Sequence, residues 1–391
     1  MALRWADQFD DVCYLDSNQY SADHMIDKIL AIGSIEHFTL HKLEQTTALE
    51  TWLKQAGEKV FGYFAYELRH AYFLGQSIDK TLAYFFKPRY ILEFKGDKLM
   101  VNRNYPETIE LIDSIRKYSP KIVEENINPI SPTIAKEDYL NHIHEIHNRI
   151  EAGDFYEINY CIEFAANATI IDPIARFWAL NKYAKAPFSA FLKVGNQYTL
   201  CASPERFLSK TGNKIISQPI KGTARRHRAN LMEDEKAKKA LASSEKERAE
   251  NVMIVDLVRN DLSPYAKTGS IHVDELFGIY TFEHVHQMIS TISASLENEE
   301  DGFNAFLYAF PPGSMTGAPK KEVMKNIQRM ENMQRDIYAG SIGYFNANGD
   351  YDFNVVIRSI FYDAKINRLS IKTGAQLLTI VFPNRSMKNV C

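Results

Sequence analysis

Five segments of the chain combine glycine, proline and charged residues in patterns that a plain hydrophobic core would not need. They supply an amine that can act as a nucleophile, carboxyl groups that can donate a proton or bind a hard cation, and guanidinium groups that grip carboxylates. In chain order they read Ser-Pro-Glu-Arg-Phe (203–207), Pro-Ile-Lys-Gly-Thr (219–223), Glu-Arg-Ala-Glu-Asn-Val-Met-Ile-Val-Asp (247–256), Pro-Gly-Ser-Met-Thr-Gly-Ala-Pro-Lys (312–320) and Tyr-Ala-Gly-Ser-Ile-Gly-Tyr (338–344), the last followed by Asp352 and Arg358.

The sequence around these segments predicts the elements that must position them. Apolar residues at helical spacing predict a helix over 136–152 that ends at Gly153, and longer helices over 231–258 and 318–331. Residues rich in β-branched and aromatic types predict strands over 155–169, 198–208 and 214–220. Because the strands come in bursts and do not alternate regularly with helices, the fold class is α+β.

Composition limits the function classes. The chain has 391 residues, 45% of them hydrophobic, with a formal net charge of -3, so it lacks the basic field that nucleic-acid binding requires. Its four cysteines have no metal-ligand spacing, and no window approaches 18 uninterrupted apolar residues. We therefore expect a cytoplasmic protein that binds small molecules, without a nucleic-acid or membrane partner.

A polar, proline-bearing stretch from Ser119 to about Thr133 marks the best candidate for a domain boundary. It separates residues 1–120, predicted to be a supporting or effector-binding subdomain, from residues 130–391, predicted to be the catalytic domain.

The five segments, in this order, resemble the family of chorismate-utilising enzymes, which includes anthranilate synthase, aminodeoxychorismate synthase and isochorismate synthase component chains. The resemblance runs from about Lys136 to Ala375. It implies chorismate as the substrate and a fold of large antiparallel sheets packed together with helices outside.

Within the family, a lysine in the position of Lys221 implies the aminodeoxychorismate synthase branch, on the route to 4-aminobenzoate and folate, because anthranilate synthases usually carry alanine there. The resemblance implies that the Lys221 amine adds at C2 of the ring while the C4 hydroxyl leaves, and that ammonia then attacks C4 and expels the lysine. An isolated lysine is protonated at neutral pH, so burial or nearby cations must favour the neutral amine. Taken without the motif, Lys221 would be a solvated residue before a glycine turn.

The resemblance also assigns roles to other residues. Glu205 is the general acid for the leaving hydroxyl, a role that requires a raised pKa, and the alternative is a surface pair with Arg206. His286 lies near the same hydroxyl. Arg358 binds a substrate carboxylate, and four further residues surround the substrate: Tyr344, Thr316, Gly317 and Gly374.

Glu250 matches a magnesium ligand of the family, and Glu247, three residues earlier, can share its helix face. The alternative is an ordinary helix surface of lysine and glutamate pairs. At 157 this chain has glutamate, where isochorismate synthases need a lysine base and the amino-transferring relatives usually have glutamine. Glu157 therefore disfavours water addition, and a neighbouring lysine would neutralise it.

After Ala375 the chain departs from the family, whose members continue with a helix that supplies a further metal-binding glutamate. Because the codons of Met387 and Lys388 give glutamate when read from a displaced frame, we hypothesise a single-base frameshift near codon 375.

No cysteine lies in a glutaminase context, so the resemblance implies a separate glutamine amidotransferase subunit as the ammonia source. Two alternatives stay open. One is anthranilate synthase component I. The other is a noncatalytic relative that binds its partner or an amino-acid effector, for which Tyr14-Leu-Asp-Ser resembles the family's tryptophan-pocket segment.

Overall fold

The computed structural model describes residues 1–20, 27–68, 80–96, 98–103 and 105–378. The helices of these residues are α1 (Ala2–Ala6), α2 (Thr46–Gln55), α3 (Tyr105–Lys117), α4 (Lys136–Glu151), α5 (Pro173–Ala184), α6 (Leu231–Ser243), α7 (Glu245–Leu262), α8 (Gly302–Ala309) and α9 (Lys320–Met330). The first ten strands are β1 (Asp11–Asp16), β2 (Lys28–Leu40), β3 (Val60–Phe64), β4 (Ala83–Lys95), β5 (Lys98–Val101), β6 (Ser131–Pro132), β7 (Glu157–Ala166), β8 (Phe188–Val194), β9 (Gln197–Ser203) and β10 (Arg206–Thr211). The later strands are β11 (Lys214–Gln218), β12 (Ile220–Arg225), β13 (His272–Thr281), β14 (Val285–Ser295), β15 (Gly317–Ala318), β16 (Ser341–Phe345), β17 (Tyr351–Asn354), β18 (Ser359–Asp363) and β19 (Arg368–Leu378).

All pairs between these strands are antiparallel, and they link the strands into one hydrogen-bonded series. The series runs β13-β14-β11-β10-β17-β16-β3-β4-β2-β1-β8-β9-β18-β19-β7. Strand β12 also pairs with β14, β5 with β4, and both β6 and β15 with β7. The predicted α+β class with large antiparallel sheets is confirmed.

The sheet crosses the predicted domain boundary. Strand β1 pairs with β8, and β3 pairs with β16, so strands from residues 1–120 lie between strands from the later part of the chain. The boundary stretch itself has little regular structure, and Ile122 within it is 96% exposed. None of the helices in the described ranges is long and apolar enough to cross a membrane.

An aromatic cluster joins α8 to the middle of the strand series. The ring centroids of Phe306 and Phe64 lie 4.8 Å apart, and those of Phe306 and Phe353 lie 4.9 Å apart. Phe85 and Phe345 complete the group, and all five side chains are buried. Because burying one such side chain contributes roughly 1.5–3 kcal/mol, this cluster fixes the strands β3, β4, β16 and β17 firmly.

Three predicted elements are broken in the structure, among them the strand predicted over 214–220, which divides at Pro219 into the end of β11 and the start of β12. The helix predicted over 231–258 divides at Ser244, which has extended backbone angles and accepts a hydrogen bond from the amide of Glu247 at 3.3 Å, as a helix N-cap does. The strand predicted over 198–208 is interrupted at Pro204 and Glu205, since proline cannot donate to the sheet ladder. The helix predicted over 136–152 is confirmed, and Gly153 follows it with a φ of 81°.

Candidate active site

Lys221 lies on β12, and its side chain reaches residues of β7 and β19. Lys221 and the neighbouring charged side chains of Glu157, Glu205, Glu247, Glu250 and Arg358 form the group that we call the crevice. Its side chain is only 6% exposed. The Nζ atom lies 3.0 Å from a carboxylate oxygen of Glu157 on β7 and 2.5 Å from the side-chain carbonyl oxygen of Gln376 on β19. Lys221 is therefore a buried amine with partners, in contrast to the solvated lysine that the isolated residue would suggest. The expectation that a lysine neutralises Glu157 is confirmed.

Glu205 is positioned by the break between β9 and β10. Its backbone N–H donates to the Ser203 hydroxyl at 3.2 Å, and the residue is 4% exposed. Burial raises the pKa of its carboxyl to about 7, and the opposing influences include the charges of Lys221 and Arg358 and the nearby Ser314 hydroxyl. That hydroxyl is buried and makes no well-formed hydrogen bond within the described residues. A carboxyl with this pKa is substantially protonated at neutral pH, as a general acid must be.

Arg206 faces away from Glu205. Its guanidinium makes two 3.0 Å hydrogen bonds to the carboxylate of Asp352. The alternative of a local pair between Glu205 and Arg206 does not describe the structure.

Arg358 lies between β17 and β18 with a φ of 53°, a left-handed conformation that is uncommon for residues other than glycine. Surrounding protein lowers its pKa, and the nearby Glu205 carboxylate opposes that change. Its side chain remains accessible, and among the ion pairs of the described residues none involves Arg358. Strained backbone that presents an unpaired guanidinium is typical of a binding site.

Two carboxylates of α7 border the same crevice. Glu247 approaches Gly222, the neighbour of Lys221, and Glu250 is 7% exposed. Burial raises the pKa of Glu250, and the charge of Glu247 raises it further.

Glutamate oxygens are the type of ligand that Mg²⁺ takes, and Glu250 also pairs with Lys246 at 3.7 Å, as the helix-surface alternative expects. The described residues contain no group of three His, Cys, Asp or Glu side chains arranged for a metal. Mg²⁺, however, usually takes one or two protein carboxylates and completes its shell with water and substrate oxygens, and a cation would relieve the repulsion between Glu247 and Glu250. The tail in which the family's further glutamate is expected follows Ala375; its first three residues, 376–378, continue β19, and residues 379–391 lie outside the described residues.

Two of the glycines predicted to surround the substrate lie very close to residues of β7, near Glu157. At Gly317, with a φ of 138°, a Cβ atom would lie 2.0 Å from the backbone oxygen of Glu157. At Gly374, a Cβ atom would lie 2.0 Å from the side-chain oxygen of Asn159. Thr316 precedes this contact, is fully buried and accepts the backbone N–H of Asn159 at 2.9 Å. These three residues therefore line the wall formed by β7, β15 and β19.

No sequence motif predicted the buried ion pair that stabilises this wall. Arg335 is 1% exposed and donates to both carboxylate oxygens of Glu331, at 2.8 and 2.6 Å. It also donates to the backbone oxygens of Met315 and Asn159, each at 2.6 Å. Glu331 in turn accepts the backbone N–H of Cys161 at 2.8 Å. The pair thus ties β7 to the loop that precedes Thr316.

Two predicted site residues have other surroundings. The ring nitrogens of His286 face the Thr281 hydroxyl at 2.9 Å and the Asp234 carboxylate at 3.2 Å, so neither faces Lys221 or Glu205. Tyr344 packs against Phe61 with ring centroids 5.9 Å apart and lines a small cavity elsewhere. That cavity is also lined by Leu15, Asp16, Ser17, Pro187, Phe188, Ser189, Ile342, Asp352 and Asn354.

A cavity of about 820 Å³ lies apart from this group. Its lining includes Arg368 and Lys372 but neither Lys221 nor Glu205. Arg368 is paired with Glu163, and Lys372 donates to two backbone oxygens. The cations of this cavity are therefore already engaged, whereas Arg358 is in no ion pair of the described residues.

The fold, the buried lysine and the neighbouring acid agree with the match of residues 10–379 to the family described as chorismate binding enzyme. The chain belongs to this family.

Individual proteins are also similar to this chain in sequence. The chain is 40% identical over 257 residues to aminodeoxychorismate synthase of Streptomyces griseus, which covers 65% of this chain and 35% of that protein. It is 39% identical over 227 residues to aminodeoxychorismate synthase component 1 of Escherichia coli K12, which covers 58% and 50%. The matched region thus spans half or less of these relatives.

Among solved structures, anthranilate synthase component I of Streptococcus pneumoniae TIGR4 superposes with a TM-score of 0.76 at 21% identity. The superposition covers 92% of this chain and 91% of that one. At this level of identity it shows a shared fold.

Proposed function

We propose that the chain is the component I of an aminodeoxychorismate synthase, which converts chorismate and ammonia to 4-amino-4-deoxychorismate. The observation that carries the proposal is a buried lysine amine, Lys221, in one crevice with a carboxyl whose pKa is about 7, Glu205, and an unpaired guanidinium, Arg358. The names of the matched relatives support this activity over the alternatives.

The arrangement supports a two-stage amination. The neutral amine of Lys221 forms a bond to C2 of the ring, the ring double bond shifts, and the C4 hydroxyl leaves as water with a proton from Glu205. Ammonia then bonds to C4, the double bond shifts back and Lys221 leaves C2 as a neutral amine. One proton of the new C4 ammonium group returns to Glu205. Atoms and charges balance without a redox partner.

The other residues bind and orient the substrate. Arg358 pairs with one of the two chorismate carboxylates through its planar fork. Glu247 and Glu250 would hold Mg²⁺, which would neutralise carboxylate charge in the crevice. We propose that ammonia comes from a separate glutamine amidotransferase subunit, with free ammonium as a substitute in vitro.

The test is to incubate the purified chain with chorismate, magnesium and ammonium, add an aminodeoxychorismate lyase, and separate the products by chromatography. We expect 4-aminobenzoate from the wild type and none from Lys221→Ala. Anthranilate as the product would instead assign the chain to the anthranilate synthase branch. A folded chain that binds chorismate and forms neither product would favour the noncatalytic alternative.

A further inference from the structure

The hydroxyl of Ser314 is buried beside the carboxyl group of Glu205. Ser314 lies in the single helical turn Gly313–Met315, and the residue is 6% exposed. Its Oγ atom lies close enough to act on the Glu205 carboxyl, yet it makes no well-formed hydrogen bond to any described residue. Because buried hydroxyls in proteins are nearly always hydrogen-bonded, a partner outside the polypeptide is expected.

A small cavity joins the two side chains. It has a volume of about 20 Å³, and its lining includes Glu205, Ser314 and Asp261. A buried water molecule needs a volume of about 10–15 Å³ and two to four polar partners. The cavity meets both requirements, since Glu205 and Ser314 supply two polar groups and Asp261 supplies a third.

We propose that this cavity holds one water molecule that links the Ser314 hydroxyl to the Glu205 carboxyl, and that Ser314 is thereby a positioning residue for the general acid. The proposal rests on the proposed function, in which Glu205 gives its proton to the leaving hydroxyl and recovers one from the new ammonium group. The water molecule and Ser314 keep their own protons throughout, so no further reactant is needed.

The link through the water molecule suits both protonation states of Glu205. A water molecule and a hydroxyl can each donate or accept, so the water can accept from the neutral carboxyl and donate to the carboxylate. A hydrogen bond to an ionised group is about twice as strong as one between neutral groups. The link therefore favours the carboxylate that remains after proton transfer, and its removal should raise the pKa of Glu205.

The other groups that act on Glu205 stay in place when Ser314 is replaced. They are the side chains of Lys221 on β12, Arg358 after β17, Asp261 on α7 and Arg206 on β10, and the backbone N–H of Ile220. Asp261 pairs with Lys320 at 2.6 Å, and Arg206 pairs with Asp352 at 3.0 Å. A change in the titration of Glu205 in Ser314→Ala is therefore due to the lost hydroxyl.

The test is an infrared titration of the full chain without chorismate. The carbonyl band of the protonated Glu205 carboxyl is assigned by its absence in Glu205→Gln, and its intensity is followed against pH. Because a hydrogen bond to a charged group changes an equilibrium constant by about tenfold or more, the midpoint should rise by about one pH unit or more in Ser314→Ala. An unchanged midpoint would overturn the proposal.

Two further measurements test the hydroxyl and the water molecule. Ser314→Cys keeps the size of the side chain but offers only a weak donor, so it should move the midpoint in the same direction, and it replaces Ser314→Ala if that variant does not fold. In a crystal structure, one ordered water should lie within hydrogen-bond distance of both Ser314 Oγ and a carboxyl oxygen of Glu205. A direct bond between these two groups without such a water would overturn the link.

Ser217→Ala is the matched control. Ser217 lines the same cavity and is also 6% exposed, but its hydroxyl already donates to the backbone oxygen of Phe207 at 2.8 Å. Its replacement should leave the midpoint of Glu205 unchanged. An equal shift in Ser217→Ala would show a general effect of altering the cavity and would overturn the role of Ser314.

The outcome can be told apart from a failure of the proposed function. In the amination assay, the loss of kcat at alkaline pH should begin about one pH unit higher in Ser314→Ala, whereas an unshifted alkaline limb would contradict the positioning role. If the infrared midpoint moves but the wild type yields no amination product, the link stands and the proposed function fails. If the wild type yields 4-aminobenzoate and the infrared midpoint is unchanged in Ser314→Ala, the function stands and the link fails.

Discussion

The raised pKa of Glu205 makes a quantitative prediction about stability. Burial raises this pKa from an ordinary value of 4.5 to about 7. The folded protein therefore binds a proton that the unfolded chain releases, and stability contributed by this group is present below about pH 4.5 and lost as pH rises through 7. Since one pKa unit corresponds to about 1.4 kcal/mol, the loss amounts to about 3 kcal/mol.

The perturbation is Glu205→Gln, which keeps the shape of the side chain and removes its titration. Urea unfolding at about pH 5 and about pH 8 gives the free energy of unfolding of each protein. Between these two conditions the wild type should lose about 2.5 kcal/mol more than the variant. Glu67→Gln is a positive control, because burial also raises the pKa of Glu67 to about 7. Glu67→Gln should likewise reduce the pH dependence of the free energy of unfolding.

The same variant tests catalysis. Without a proton donor for the leaving hydroxyl, the rate of chorismate consumption should fall by about 10²–10⁴-fold. Parallel stability curves for Glu205→Gln and the wild type between the two pH values would refute the buried, protonated carboxyl and with it the general acid.

Three further predictions concern the walls and charges of the crevice. Gly317→Ala should lower the free energy of unfolding by about 1–3 kcal/mol, because its Cβ would meet the Glu157 backbone oxygen at 2.0 Å, and urea unfolding would show it; unchanged stability would contradict the close approach. Glu331→Gln should lower the free energy of unfolding by about 3–5 kcal/mol, because it leaves the charge of Arg335 buried and unpaired. A thermal midpoint equal to that of the wild type would contradict this loss of stability. Glu250→Gln should weaken Mg²⁺ binding at least tenfold in calorimetric titration, and equal affinity would remove the proposed metal site.

The parts of the site that could be predicted from sequence are those in which one residue type meets a local requirement. Lys221, which precedes a glycine, and Glu205, which follows a proline, lie in sequence motifs that were sufficient to identify them as candidate site residues. Gly317 and Gly374 were also singled out, and the structure supplies the physical reason, since neighbouring side-chain or backbone oxygens leave no room for a Cβ atom.

The other features of the site depend on which residues the tertiary structure brings together, and short sequence patterns do not encode this. Arg335 lies more than a hundred residues from Asn159, yet the two meet through a buried hydrogen bond. His286 matched a motif, but its surroundings are decided by α6, which brings Asp234 to its ring. The register of β19, which brings Gln376 to Lys221, follows from pairing with β7 over ten residue pairs and from no feature near Gln376.

Some predicted ends of helices and strands were wrong because they too depend on tertiary structure. A helical pattern continues through Ser244, but its hydroxyl caps the next helix, so the chain turns there. The pairing of β1 with β8 and of β3 with β16 places early strands among late ones, a sheet order that local composition does not reveal.

The most direct measurement of the central claim is the mass of the Lys221 peptide after the chain meets chorismate and Mg²⁺ with ammonia withheld. If Lys221 is the nucleophile, the rapidly quenched peptide should gain the mass of chorismate less one water, and the gain should disappear on adding ammonium and be absent in Lys221→Ala. An unmodified Lys221 peptide in a preparation that converts chorismate to 4-aminobenzoate would contradict the account.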